Sequence, residues 1–335
     1  MGLLDWVFGN HSASRTPTRD EAFAAAIIER VIDATDKRLK LVPDYRKILR
    51  DSALTTLQHV RQVLQAFPGP VAVSAAAWTS DRALRPFFAR ASDASMPFSR
   101  SRDVRSFFAG TVADECIALL AFEHVERELV AARVGSDGVQ RETVCTTVSF
   151  NKPVVLAPSI DLQAARIELG KRMVDYLAMK ALAQITALKE QKKELEEERA
   201  LLKMRLQMAH AGGRGLAGMG GETNAAPVGA DALARDLEAN EQALARYAAT
   251  GIMAPLLDRL REVLGDPGAW LRVDTHAVAL DEMNVKAAET AAAGLEVQIC
   301  ELRLVDRSPY AVMLARFPRA ELLPEQDLWR AAEQM

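Results

Sequence analysis

Arginine and phenylalanine alternate through residues 78–110, where the hexapeptide LRPFFA at Leu84 returns in altered form as VRSFFA at Val104. Arginine side chains match the geometry of phosphate oxygens, and aromatic rings can stack on nucleobases. The composition is therefore typical of a site for nucleic acid or for a phosphorylated ligand. The candidate side chains for binding a partner or an anion are Arg82, Arg85, Phe88, Arg102, Arg105 and Phe108.

The same repeat also predicts local structure. Asp81 and Asp103 lie near the start of the two units, where an acidic residue stabilises a helix. Leu84 and Val104 then precede the phenylalanines at helical spacing, and Pro86 fits only the first turn of a helix. We favour two short helices that bury their rings and leave arginine outward. A groove for a protein partner and a nucleic-acid site are the alternatives.

Motifs of catalysis and of cofactor binding give no support to an enzyme. Gly213, Gly215 and Gly218 spell G-x-G-x-x-G, but a long predicted helix precedes them, whereas a dinucleotide site needs a strand there. His124 lies in FEHVERE, which lacks the second histidine that a zinc site needs one turn away. We expect no metal, no cofactor and a non-catalytic role. An enzyme whose site is assembled from dispersed residues is the alternative.

Charge and cysteine content limit the class of protein. The chain has 335 residues, with 42 Lys and Arg against 45 Asp and Glu and a formal net charge of −3. That balance excludes a bulk electrostatic role on nucleic acid or anionic lipid, so any basic site must be local. The three cysteines are far apart and match neither a disulfide framework nor a metal-binding pair. No apolar run approaches the roughly 20 residues that span a bilayer, and we expect a cytoplasmic protein.

The N-terminal sequence MGLLDWVFG offers an anchor for a membrane or a partner. Leu4, Trp6 and Phe8 are the side chains that would enter a membrane interface, giving the protein a peripheral membrane contact. The segment is short and has no lysine or arginine for anionic lipid. Packing of this segment on the chain's own domain is therefore the favoured alternative.

Apolar residues recur at a seven-residue step from residue 161 to about residue 209, a stretch without proline. The step predicts a coiled-coil helix, whose second apolar position in each heptad is occupied by Lys192 and Arg199 in the middle. We therefore expect the middle of this helix to be lightly packed. The seam positions are Ile167, Val174, Ala181, Leu188, Leu195 and Leu202.

The order of the predicted elements indicates an α+β fold. Residues 1–158 combine amphipathic helices, a further helix at 111–124 and a β-hairpin around the turn GSDG. Residues 161–264 form an inserted helical hairpin with a flexible glycine-rich tip at 211–230, and residues 265–335 form an antiparallel β-meander. We predict a head of mixed helices and antiparallel sheet, built from both ends of the chain, from which a long coiled-coil stalk is inserted.

These features predict a non-catalytic interaction or scaffold protein. It self-associates through the coiled-coil stalk as a homo-oligomer and presents a surface to protein partners that the sequence does not name. Binding of nucleic acid or a phosphate-bearing ligand through residues 78–110 is the second hypothesis, and an enzyme is the third.

Overall fold

The computed structural model describes residues 17–134, 140–215, 230–249, 253–286 and 295–324. Helices and a mainly antiparallel sheet fill these ranges, which confirms the α+β class. The helices are α1 (Pro17–Ala34), α2 (Tyr45–Ala66), α3 (Ala75–Ser80), α4 (Met96–Arg100), α5 (Arg102–Gly110), α6 (Leu162–Gly215), α7 (Ala230–Ala249) and α8 (Met253–Gly265). The strands are β1 (Val71–Ala72), β2 (Glu115–Val134), β3 (Gln140–Ser159), β4 (Leu271–Leu280), β5 (Leu295–Leu304) and β6 (Tyr310–Pro318).

The chain divides into two compact units. The first, which we call the sheet unit, comprises Met1–Phe23, Thr55–Val174 and Asp266–Met335, and it contains all the described strands and helices α3, α4 and α5. The second, the helical unit, comprises Ala24–Leu54 and Asp175–Gly265. Its described residues form helices and turns. The helical unit thus includes N-terminal residues as well as most of the predicted stalk.

Apolar spacing explains the helices of the helical unit. On α8 the buried side chains recur at steps of one, three and four residues, which gives the helix one apolar face. This face packs against the 3₁₀ turn Lys37–Leu41, which follows α1 and buries Leu39. The buried apolar residues of α1 and α8 in this unit are Ala24, Ile27, Ile28, Val31, Ile32, Leu256, Leu257, Leu260, Val263 and Leu264.

A charged cluster closes the connection between α1 and α2. Glu29 accepts a hydrogen bond of 2.7 Å from the Tyr45 hydroxyl and one of 2.9 Å from Arg46 Nε, and its other oxygen lies 3.0 Å from Lys40 Nζ. Donation from Tyr45 and then from Lys40 lowers the pKa of Glu29 from its ordinary value of 4.5 to about 2. The ionised carboxylate therefore stabilises this connection.

The helix α6 joins this arrangement through Asp36. The Asp36 carboxylate caps the 3₁₀ turn by accepting from the Arg38 backbone N–H at 3.1 Å, and Lys189 of α6 lies 2.9 Å from it. Hydrogen bonding from Arg38, supported by Lys189, holds the pKa of Asp36 well below its usual range.

Stability should depend on the ionisation of Glu29. Because its pKa in the folded protein lies below the unfolded value, its contribution is complete above about pH 4.5 and is lost as the pH falls towards 2. We expect Glu29→Gln to lower the midpoint of urea unfolding at pH 7, and we expect the difference from wild type to shrink below pH 4.5. Glu128→Gln, a change at an exposed position on β2, is the control. A difference that persists unchanged to pH 3 would contradict this assignment.

Strand β6 is central to the sheet. The strand order is β3-β2-β6-β5-β4, with antiparallel neighbours throughout, and β1 adds to β6 in parallel. Along one edge β6 pairs with β2 over Tyr310–Pro318. Its other edge is divided, because Tyr310–Val312 pair with β5 and Ala315–Arg316 pair with β1. This one strand connects the N-terminal segment, the β2–β3 hairpin and the C-terminal strands.

The prediction of a helix at residues 111–124 is wrong, because strand β2 begins at Glu115 and continues beyond this segment. Every residue of the apolar run from Cys116 to Phe122 is at most 6% exposed, so both faces of the strand are buried. A strand covered on both sides has a continuous apolar sequence without alternation, and a helix can have the same sequence.

The outer strand β3 is irregular. Two register shifts interrupt its pairing with β2, and Lys152 and Ala157 have positive φ angles of 47° and 55°. Residues 284–286 form main-chain hydrogen bonds with Thr146 and Val148 on its outer edge. The edge is therefore partly covered and partly distorted.

Stacked aromatic rings form the core of the sheet unit. Phe98 of α4 stacks on Phe317 of β6, with ring centroids 4.3 Å apart and an interplanar angle of 5°. Phe88 meets Phe122 of β2 edge to face at 5.5 Å. Phe98 and Phe317 are completely buried, and such pairs contribute beyond the area that they bury.

We expect Phe98→Ala to lower the free energy of unfolding by about 3–5 kcal/mol, because it leaves a cavity against Phe317. The matched control is Phe107→Ala, which removes the same atoms from a half-buried position and should cost less. Urea unfolding followed by tryptophan fluorescence measures both. Equal losses for the two variants would contradict the placement of Phe98 in the core.

Candidate functional site

The second phenylalanine in each unit of the Arg/Phe repeat is a core residue. Phe88 and Phe108 are each 4% exposed and belong to one cluster with Phe98, Phe122 and Phe317. Ser101 accepts a hydrogen bond from the Val104 backbone N–H and so caps α5, which carries Phe108. The two units of the repeat thus contribute to one aromatic core, and neither Phe88 nor Phe108 presents its ring to a ligand.

The arginines of the repeat have different environments. Arg105 is half-buried and donates to the main-chain oxygens of Ser99 and Leu323 at 2.6 and 2.7 Å, which is a structural role. Arg82, Arg85 and Arg102 are exposed. A partner-binding or anion-binding role for these three side chains stays a prediction.

The seam residues of α6 differ in burial along the helix. Ile167, Val174, Ala181 and Leu202 are buried, whereas Leu188 and Leu195 in the middle are half-buried. Beside the distal half lies α7, which runs in the opposite direction. Asn240 donates to Glu198 at 2.8 Å, Tyr247 donates to Gln191 at 3.3 Å, and Lys203 pairs with Glu241 at 2.9 Å. The proposed anchor residues Leu4, Trp6 and Phe8 and most of the glycine-rich tip lie outside the described residues.

A row of charged side chains crosses one face of the sheet, and our sequence analysis missed it. At its centre the His124 ring, 6% exposed, lies between two carboxylates. Its Nδ1 is 3.6 Å from Glu301 Oε1, and its Nε2 is 3.5 Å from Glu126 Oε1. Glu301 is 3% exposed. We call this the charged row, and its members are Lys286, Glu126, His124, Glu301, Arg303 and Asp274.

The charged row ends in a lysine on one side and in an arginine with an aspartate on the other. Lys286 Nζ lies 2.7 Å from Glu126 at one end. At the other end Arg303 donates through Nη2 to Glu301 Oε2 at 3.0 Å, and its Nε is 3.4 Å from Asp274. Each carboxylate of the row therefore lies within 3.4 Å of a lysine or arginine side chain, which is how buried carboxylates are tolerated in a protein.

Strand register explains how the row forms. Ala311 of β6 lies opposite both Phe122 of β2 and Glu301 of β5. Its methyl side chain leaves room for Glu301 and His124 to approach each other across β6. The ring of His124 also stacks on Phe150 of β3, with centroids 5.5 Å apart.

One nitrogen of His124 is unsatisfied within the part of the chain that the structure describes. Its Nε2 is buried and has no hydrogen-bond partner there, because the 3.5 Å approach to Glu126 is too long for a good hydrogen bond. The ion-pair contacts of His124 are with carboxylates, which by themselves define no reaction.

A pocket of about 450 Å³ lies at the Arg303 end of the charged row. Glu301 and Arg303 form part of its lining, and Trp270 of the turn before β4 forms another part. Arg272 and Arg307 add two exposed guanidinium groups. The lining thus carries three arginines and one carboxylate.

A second pocket, of about 650 Å³, is bordered by α5, the end of β3 and the first turns of α6. Its charges are paired with one another, since Arg172 lies 3.3 Å from Asp103 and Lys171 lies 3.2 Å from Glu168. This pocket therefore offers no free charge to a ligand, unlike the pocket at Arg303.

A simple signal in the sequence points to the charged row. In LEVQICELRLV, alternate residues share a face of the strand, so Glu301 falls on the face of Val297 and Ile299, which are both buried. His124 in the same way shares a face with Phe122. A charged residue is unusual on the buried face of a strand, because burying its charge costs free energy unless a charged or hydrogen-bonding partner lies beside it.

Neither the described side chains and helices nor similarity to known proteins assigns a function. Across the described ranges, no group of three or more His, Cys, Asp or Glu side chains is placed to hold a metal ion. None of the described helices has the length and apolar composition needed to cross a membrane. No protein-family model, curated protein or solved structure matches the chain.

The carboxylate of Glu301 should contribute strongly to stability. We expect Glu301→Ala to lower the free energy of unfolding by about 1.5–3 kcal/mol, since Arg303 and His124 lose a buried partner. Glu115→Ala is the matched control, because it removes a half-exposed carboxylate 3.6 Å from Arg316 and should cost less than about 1 kcal/mol. Equal losses in urea unfolding would contradict a buried role for Glu301.

Proposed function

We propose that the protein is a non-catalytic interaction protein that self-associates through α6 and presents its sheet unit to protein partners. The observation that supports self-association is an apolar stripe on α6 formed by Leu201, Met204 and Met208. These side chains are 41%, 48% and 64% exposed. Large apolar side chains grouped on a surface mark sites of association.

The spacing of the stripe is that of a coiled-coil core. Glu194, Glu197, Leu201, Met204 and Met208 follow one another at steps of 3, 4, 3 and 4 residues, and this repeat keeps one face of a helix directed at a partner helix. Because successive residues turn by about 100°, the three apolar side chains lie roughly 100–160° around the helix from Leu202. Leu202 is buried on the side of α6 that α7 contacts. The stripe is therefore on a different face from the seam.

A second copy of this chain fits the charges of the stripe. The acids Glu194 and Glu197 precede the apolar residues, and Arg205 lies among them. Within the described ranges, neither Glu194 nor Arg205 takes part in an ion pair. In an antiparallel pair of α6 helices, Arg205 of each chain approaches the acids of the other, whereas a parallel pair sets acid against acid. We therefore propose an antiparallel homodimer, in which the coiled coil forms between chains.

The state of the cysteines supports a reducing compartment. Cys116, Cys145 and Cys300 are all buried, and none of the three forms a disulfide bond. Burial raises the pKa of Cys116 to about 12 and also raises the pKa of Cys300, so these thiols are unreactive. Cysteines that form no disulfide bonds are typical of cytosolic proteins, and we propose a cytoplasmic location.

Nucleic-acid binding through residues 78–110 has less support. Base stacking needs accessible rings, and Phe88 and Phe108 are buried. Arg82, Arg85 and Arg102 alone would have to carry the binding.

Replacing the stripe should dissociate the dimer. We expect Leu201→Ser, Met204→Ser and Met208→Ser together to reduce the mass measured by light scattering to that of one chain, because the apolar contact is lost. The melting temperature at low protein concentration should change little, since these side chains are exposed. The matched control replaces three exposed apolar residues elsewhere, Leu41, Val112 and Met283, by Ser and should keep the dimer.

A charge reversal tests the antiparallel orientation of the same dimer. Arg205→Glu alone, and Glu194→Arg with Glu197→Arg, should each weaken the dimer at low salt, and combining all three changes should restore it. Restoration by the combination is not expected for a parallel pair. A wild-type protein that is monomeric up to concentrations of about 100 μM would contradict self-association through α6.

A further inference from the structure

The pocket at the Arg303 end of the charged row has more positive charge than the described residues neutralise. Arg303 is compensated by Glu301 and Asp274. No described carboxylate pairs with Arg272 or with Arg307. Both side chains nevertheless line the same pocket.

Strand register places two of these arginines opposite each other, so their repulsion destabilises the protein in the absence of a ligand. Arg272 of β4 lies directly opposite Arg303 of β5 in an antiparallel pair. Like charges in directly opposite positions destabilise a sheet, because their side chains start only about 5 Å apart. A residue that lowers stability in this way is typical of a binding site.

Arg303 is held in place for binding. Glu301 accepts from its Nη2, and Asp274 lies beside its Nε, so the guanidinium group has a fixed orientation. Arginine has five N–H donors, and this arrangement leaves some of them free for a ligand. The two oxygens of Glu301 are directed at Arg303 and His124, which limits the repulsion that this carboxylate would exert on an anion.

We infer that this pocket binds a small phosphate-bearing molecule through Arg272, Arg303 and Arg307. Arginine matches the oxygens of a phosphate group with paired hydrogen bonds better than any other side chain does. The volume of about 450 Å³ falls in the range of small-molecule sites. Trp270 and Val305 supply apolar wall beside the arginines, where the organic part of the ligand lies.

Thermal unfolding and calorimetry of the full chain test this inference. The probes are phenyl phosphate, inorganic phosphate and benzoate in low-salt buffer free of other phosphates. We expect phenyl phosphate to raise the melting temperature in proportion to the logarithm of its concentration, with inorganic phosphate weaker and benzoate weakest. Stabilisation by inorganic phosphate equal to that by phenyl phosphate would contradict a site for the organic part. The absence of any shift at about 10 mM of each probe would overturn the inference.

Substitutions locate the site. Arg272→Ala and Arg307→Ala should each weaken phenyl phosphate binding at least about tenfold, the loss expected for one charged hydrogen-bonding partner. Arg127→Ala, which removes an exposed arginine on β2 that does not line the pocket, should leave binding unchanged. Undiminished binding in both pocket variants would overturn the assignment.

A charge reversal at Arg272 tests the repulsion between Arg272 and Arg303 without relying on a ligand. In the variant Arg272→Glu, residue 272 and Arg303 have opposite charges where the wild type has like charges. We therefore expect the ligand-free variant to melt about 1–3 °C higher than the wild type. The variant should also lose phenyl phosphate binding. Arg127→Glu is the matched control. A ligand-free Arg272→Glu protein that melts lower than wild type would contradict the repulsion on which the inference rests.

Discussion

Strand β6 must be hydrogen-bonded along both of its edges, and the sheet unit depends on this requirement. One edge pairs with β2, and the other is shared between β5 and the parallel β1. Segments from the beginning, the middle and the end of the chain therefore meet at a single strand. Buried main-chain groups without partners are costly, so loss of any of these neighbours would expose part of β6. The aromatic core rests on the same strand, because Phe317 stacks on Phe98.

The side chains of β6 also determine where charge can be buried. Ala311 separates the strand that carries Glu301 from the strand that carries His124, and its small size allows a carboxylate and an imidazole to meet above it. A larger residue at this position would occupy that space. The approach of His124 to Glu301, at the centre of the charged row, thus depends on one alanine in the middle of the sheet.

The spacing of apolar residues was sufficient to predict secondary structure where it matched the period of only one element, a strand or a helix. The alternation in residues 295–304 and the apolar spacing of α8 correspond to an observed strand and helix. The pattern failed at Cys116–Phe122, where burial on both faces removes the alternation that identifies a strand. The sequence marks Glu301 as an unusual position in a strand, but it does not predict that His124 lies beside it. His124 and Glu301 are distant in sequence, and only the register of β2, β6 and β5 brings them together.

The distorted outer strand β3 has a consequence for how copies of this protein meet. An edge strand with free main-chain groups invites a strand of another molecule, which leads to aggregation. Here residues 284–286 occupy part of that edge, and the left-handed conformations of Lys152 and Ala157 break the regular row of donors and acceptors. Proline at positions 153 and 158 removes two further donors. An incoming strand finds no long flat ladder to extend along this edge, which disfavours growth of the sheet beyond β3.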